Sequence, residues 1–125
     1  MMLPSGNDAA HQVAQIGGTI INLIKENQFD KNVIYNCQQL SFLMGKTSNS
    51  VFLYLAEMNQ TARKLGLTRT NWANPHGLSN VNNFSTAEDV ARLCLHAMKN
   101  GQFREVVATK CYNCNYYYEE EVENR

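Results

Sequence analysis

Hydrophobic side chains recur at helical spacing in three stretches of this chain. Val13, Ile16, Ile20 and Ile24 fall three or four residues apart, the repeat that lines one face of an α-helix. That helix is expected to begin just after Ser5-Gly6-Asn7-Asp8, where Asn7 or Asp8 can accept hydrogen bonds from the exposed amides of the first turn. Gly17-Gly18 in its middle weakens it by about 1 kcal/mol per glycine relative to alanine, so the pair implies close backbone packing on a neighbour, or a kink. A second helix is predicted from about Ser50 to Leu65. Val51, Leu55, Met58, Ala62 and Leu65 form one continuous stripe, and Gly66 suits a left-handed cap. The third opens at Ser85-Thr86-Ala87-Glu88, a capping box in which serine and glutamate each satisfy an orphan backbone N–H. Ala87, Val90, Ala91, Cys94, Ala97 and Met98 form its expected buried face, and Asn100-Gly101 stops it.

Between the second and third helices, Leu67 to Phe84 is rich in Asn, Thr, Ser and Gly. Pro75 drives Asn74 out of helical geometry and Gly77 permits a positive φ, so Asn74-Pro75-His76-Gly77-Leu78 reads as a structured loop, pinned by Trp72, Leu78 and Phe84. Lys25 to Asn49 shows no clear period. It holds an apolar patch, Leu40-Ser41-Phe42-Leu43-Met44, and reads as an insertion with room for one short helix. Val106-Val107-Ala108 and Tyr116-Tyr117-Tyr118 favour a strand, although no partner sheet is evident. The fold class is therefore mainly α, with a possible C-terminal strand. No repeat is visible.

Composition narrows the function. The chain has 125 residues, 44% of them hydrophobic, with 11 basic and 11 acidic side chains. That length fits one domain with a real core. A net charge of zero argues against a nucleic-acid partner, which calls for a basic face. The most apolar stretch, Ala9 to Ile24, is interrupted by His11, Gln12, Gln15 and Asn22, short of the roughly 20 apolar residues a membrane span requires. Met1-Met2-Leu3-Pro4 lacks the basic and apolar regions of a secretory signal. The 16 asparagines exceed ordinary usage; they fit a biased codon composition and carry no functional weight at this level.

Candidate chemistry begins at Leu3-Pro4-Ser5-Gly6-Asn7-Asp8-Ala9-Ala10. Ser-x-Asn at a turn entering a helix sets a hydroxyl and a carboxamide on one side of a cleft, the second of three motifs shared by penicillin-binding proteins and related β-lactamases; helix capping alone is the plainer reading. Three further segments follow in order: Met58-Asn59-Gln60-Thr61-Ala62-Arg63-Lys64-Leu65-Gly66-Leu67, Thr70-Asn71-Trp72-Ala73-Asn74-Pro75-His76-Gly77-Leu78, and Ser85-Thr86-Ala87-Glu88-Asp89-Val90-Ala91. Together they resemble the D-alanyl-D-alanine carboxypeptidases, the low-molecular-mass penicillin-binding proteins, with Trp72 at an aromatic position; Phe103 to Lys110 resembles the segment that follows.

The resemblance implies the helical subdomain of an α/β serine β-lactamase/DD-peptidase (transpeptidase-like) fold, whose groove lies between helices and sheet. Residues 1–125 would form part of that domain, with an insertion at about 25–49. The implied reaction is attack by a serine on a terminal D-Ala-D-Ala amide of a peptidoglycan stem peptide, then hydrolysis of the acyl-enzyme; a β-lactam would be a second ligand of the complete domain. Ser5 would relay a proton toward the leaving group, Asn7 would hydrogen-bond the substrate amide, and no metal or organic cofactor is needed. His76 is a further binding candidate, with a loop-stabilising role as its alternative. The family works outside the cytoplasm.

No Ser-x-x-Lys occurs in the sequence. Thr61-Ala62-Arg63-Lys64 has the spacing but belongs to a packing helix, and Gly45-Lys46-Thr47-Ser48 fits neither Lys-Thr-Gly nor a phosphate-binding loop. The nucleophile, its lysine and the carboxylate-binding strand are therefore expected outside these residues, the isolated chain is expected to be inactive, and its helices are expected to expose apolar faces. The alternative is a non-catalytic remnant that binds muropeptide or a protein partner. Cys111-Tyr112-Asn113-Cys114 has the spacing of half a zinc site or of a thiol pair, with Cys94 and His96 as further ligands, but a second close pair is missing and an incidental pair is the default.

Overall fold

The computed structural model describes residues 6–28, 44, 49–111 and 113. Ser5, most of the 25–49 insertion including Leu40-Ser41-Phe42-Leu43 of its apolar patch and Gly45-Lys46-Thr47-Ser48, Cys114 and the Tyr116-Tyr117-Tyr118 tail lie outside them. The described residues form four helices, α1 (Asn7–Lys25), α2 (Ser50–Lys64), α3 (Ala87–Ala97) and α4 (Gly101–Ala108). Among them there is no strand; Asn71 and Phe84 form an isolated antiparallel bridge.

The N-cap of α1 is Gly6, with no side-chain hydrogen bond, so Asn7 and Asp8 lie inside the first turn rather than capping it. Asp8 there and Lys25 in the last turn complement the helix dipole. The buried face is not the isoleucine stripe. Ala14, Gly18, Thr19 and Leu23 are buried, whereas Val13 and Ile24 are exposed. The glycine pair decides this, because it lets α2 approach backbone to backbone. A Cβ at Gly18 would overlap the Ser50 carbonyl, and one at Gly17 would stand 2.6 Å from the Tyr54 ring. Close packing, not a kink, is therefore the role of the pair. Thr19 satisfies its buried hydroxyl by donating to the Gln15 carbonyl at 2.9 Å. The α1–α2 crossing is the one extensive helix–helix contact among the described residues.

Helix α2 ends as its sequence predicts. Gly66 sits at φ 74°, its N–H donates to the Arg63 carbonyl at 3.0 Å, and the Leu67 N–H reaches back to Ala62 at 2.9 Å. This is a Schellman motif with its hydrophobic contact; Ala62 and Leu67 are each 2% exposed.

At α3 the cap lies one residue later than the capping box predicts. Thr86 accepts from the Asp89 N–H at 3.2 Å, while Ser85 shares a 2.8 Å hydroxyl–hydroxyl bond with Thr70 and Glu88 pairs with Arg69 and Arg92, both at 2.9 Å. The covered face is correspondingly rotated. Asp89 is buried and Leu93 and Ala97 are half-buried, but Ala87, Val90, Ala91, Cys94 and Met98 are exposed. Asn100-Gly101 ends α3 and also starts α4, since the Asn100 side chain accepts from the Phe103 N–H at 3.1 Å. Val106-Val107-Ala108 is thus helical and not part of a strand. One face of α4 presents Phe103, Val106 and Val107 to solvent.

Candidate functional site

The loop from Leu67 to Phe84 is held mainly by amides. Leu78 and Phe84, expected to pin it, are each more than half exposed, whereas Leu67 is buried. Asn59, on α2, accepts from the Trp72 N–H and donates to the Trp72 carbonyl, both at 2.8 Å. On the opposite side Asn71 exchanges backbone hydrogen bonds of 2.9 and 3.1 Å with Phe84. The Asn83 side chain receives the Ala73 N–H at 3.2 Å. Asn74 closes the tip, accepting from Gly77 N–H and donating to the Leu78 carbonyl, both at 2.8 Å. Gly77, at φ 78°, supplies the left-handed turn.

The root of the loop is fastened to α3 by charge. Asp89 accepts from the Thr70 hydroxyl at 2.7 Å and from the Arg69 N–H at 2.8 Å. These donors favour the ionised form and hold its carboxyl below the usual carboxylate range, the Thr70 bond most strongly. Glu88 is lowered as well, chiefly by the hydrogen bond and charge of Arg92 and then by Arg69.

An open cleft of about 550 Å³ lies between this loop and α2, with Tyr54, Met58 and Thr61 on one side, Trp72, Pro75 and Gly77 on the other, and Leu93 of α3 at its edge. Its lining is largely apolar; Glu57 supplies the carboxylate among its walls. His76 stands at the tip, half-buried, and its Nδ1 accepts from the Leu78 N–H at 3.3 Å, a contact that stiffens the tip. Neither His76 nor Asn7 lines this cleft. Asn7 stands half-buried at the start of α1, so the structure does not bring these two candidates together there, and Ser5 lies outside the described residues. Among the described residues no three His, Cys, Asp or Glu side chains converge as metal ligands, and Cys94 and Cys111 are free and exposed. No described helix is long and apolar enough to cross a membrane.

The anchoring asparagines were not singled out by sequence reasoning. Their one signal is the density of Asn between positions 71 and 83 together with Asn59 on the neighbouring helix.

The glycine-capped helix, the asparagine-braced loop around Asn74-Pro75-His76-Gly77 and the capped helix behind it all lie in the part of the chain that a known protein family matches. The family model for D-alanyl-D-alanine carboxypeptidase matches residues 43–125, and the chain belongs to that family. A curated relative, the D-alanyl-D-alanine carboxypeptidase of Streptomyces sp. (strain K15), is 30% identical over 112 residues, which is 90% of this chain and 30% of the relative. The chain thus spans about 30% of the length of that curated relative. No solved structure matches it.

Proposed function

We propose that this chain is the central segment of a serine-type D-Ala-D-Ala carboxypeptidase domain acting on peptidoglycan stem peptides. The observation that carries the reading is the family match across residues 43–125, which takes in α2, the braced loop, α3 and α4. The complete domain would be the transpeptidase-like α/β fold, with these helices as its helical part. Its serine nucleophile would form an acyl-enzyme and release D-alanine, and a β-lactam would acylate the same serine. In this reading Ser5 passes a proton toward the leaving amine, Asn7 hydrogen-bonds the substrate amide, and the His76 loop borders the groove.

The 125 residues contain neither Ser-x-x-Lys nor Lys-Thr-Gly, and without a nucleophile the remaining groups bind and polarise but do not turn over. The purified chain is expected to take no covalent label from a fluorescent penicillin and to release no D-alanine from a D-Ala-D-Ala peptide. Grafted in place of the matching segment of the Streptomyces relative, it is expected to support both. Ser5→Ala in that chimaera should then lower D-alanine release by about 10²–10⁴-fold, the usual share of a proton-transfer group. A soluble chimaera without label, or an unchanged rate in Ser5→Ala, refutes the assignment.

A further inference from the structure

Trp72 occupies an unusual position in the loop. Successive residues of an extended chain point their N–H and C=O groups to opposite sides. Asn71 spends its pair on Phe84, so the pair on Trp72 faces the other way, toward the helix α2 rather than a second strand. The Asn59 carboxamide fills that role. Its oxygen takes the N–H and its NH₂ gives to the carbonyl, both at 2.8 Å, the exchange a neighbouring strand would make. From Trp72 the chain runs directly into Asn74, Pro75 and Gly77, which line the cleft.

We propose that Asn59 is a positioning residue: by gripping the Trp72 backbone at both of its polar groups, it fixes how far the Asn74–Gly77 wall of the cleft stands from α2. The chemistry required is narrow. The group must donate and accept from adjacent atoms at one reach from the helix. Glutamine is too long by a methylene, alanine offers nothing, and a carboxylate can only accept. A protonated carboxylic acid, by contrast, has one donor and one acceptor in nearly the same places as the amide. Any effect on peptide turnover rests on the reading above, in which this loop borders the substrate groove. The grip itself can be tested without turnover.

Trp72 is the single tryptophan of the chain, so its emission reports the seating of the loop directly. In the full chain, Asn59→Asp is expected at pH 7.5 to shift Trp72 emission to the red and to raise its quenching by acrylamide about twofold, because the carboxylate faces the Trp72 carbonyl. Acidification through the titration of that carboxyl should move the spectrum back toward the native one, as the added proton restores a donor for the Trp72 carbonyl. Asn59→Ala should show the altered spectrum at every pH. Glu57 in the cleft, His76 at the tip and Glu88 and Asp89 at the loop root are present in the native chain as well, whose spectrum over the same range is the reference.

Hydrogen exchange in the native chain gives an independent reading, with the Trp72 amide protected about tenfold or more beyond that of exposed Val81. The proposal is overturned if Asn59→Asp keeps the native spectrum at pH 7.5, or if its altered spectrum ignores acid while the helical circular dichroism stays intact. Should that variant lose its helices, exchange decides: a Trp72 amide exchanging as fast as Val81 overturns the proposal by itself.

Discussion

Two glycines show how differently one residue type can matter. At Gly18 the constraint is space, since a Cβ would overlap the Ser50 carbonyl. At Gly66 it is backbone conformation, φ being 74° with nothing within 4 Å of where a Cβ would sit. Gly18→Ala must therefore separate α1 from α2, at a cost of about 1–3 kcal/mol and the loss of the Thr19–Ser50 burial around it. Gly66→Ala keeps the crossing and costs about 1–2 kcal/mol of left-handed strain, most of which Gly66→Asn should recover. Thermal unfolding followed by circular dichroism checks the order, and a Gly66→Ala loss that Gly66→Asn does not reduce would contradict the conformational account. The sequence leaves close packing or a kink open for the Gly17-Gly18 pair, and the buried set it suggests, the isoleucine stripe, is displaced by Ala14, Thr19 and Leu23. Side-chain size cannot reveal which face admits another backbone.

At the level of elements, α2 was the most legible: its extent and glycine cap agree with the structure, and of its stripe Ala62 is buried and Val51, Leu55, Met58 and Leu65 are half-buried. Helix α4 was not, because Val106-Val107 carries strand propensity and Asn100-Gly101 reads as a stop, although the same asparagine caps the next helix. The α3 cap was legible to within one residue. Thr86→Ala should cost about 1 kcal/mol, and Ser85→Ala only a few tenths, in the thermal or urea unfolding of the chain. Equal losses would return the cap to Ser85. The lowered pKa values at the loop root give a pH dependence of definite sign. Asp89 and Glu88 have folded-state pKa values below their ordinary ones, so they stabilise the fold fully above about pH 5, and that share disappears as pH falls through their depressed values. Asp89→Asn should flatten the acid limb of a stability–pH curve while lowering the plateau at pH 7. The amide braces were beyond reach of sequence patterns because their partners are distant: Asn59 and Trp72 lie 13 residues apart.

For the molecule as a whole, the exposed apolar side chains of α3 and α4 set the solution behaviour. Leu95 is 71% exposed and Val106 53%, while the buried apolar set among the described residues is only Ala14, Leu23, Ala62 and Leu67. Burying one such leucine or valine would contribute about 1.5–3 kcal/mol, so the isolated chain should bind a hydrophobic dye and self-associate as its concentration rises. Leu95→Lys with Val106→Lys should reduce both, as read by dye fluorescence and sedimentation, without lowering helical content. A helix signal that collapses in this variant would mean those faces are packed in the free chain.

The backbone contact at Gly18 and Ser50 also bears on the long segment joining α1 to α2. Two rods locked at their crossing point keep their spacing by their own contact. The entropy of closing a tether rises only logarithmically, about 0.6 kcal/mol for each doubling. Insertion of a few glycine and serine residues between α1 and α2 should therefore cost the crossing no more than about 0.6 kcal/mol, as thermal unfolding followed by circular dichroism would check.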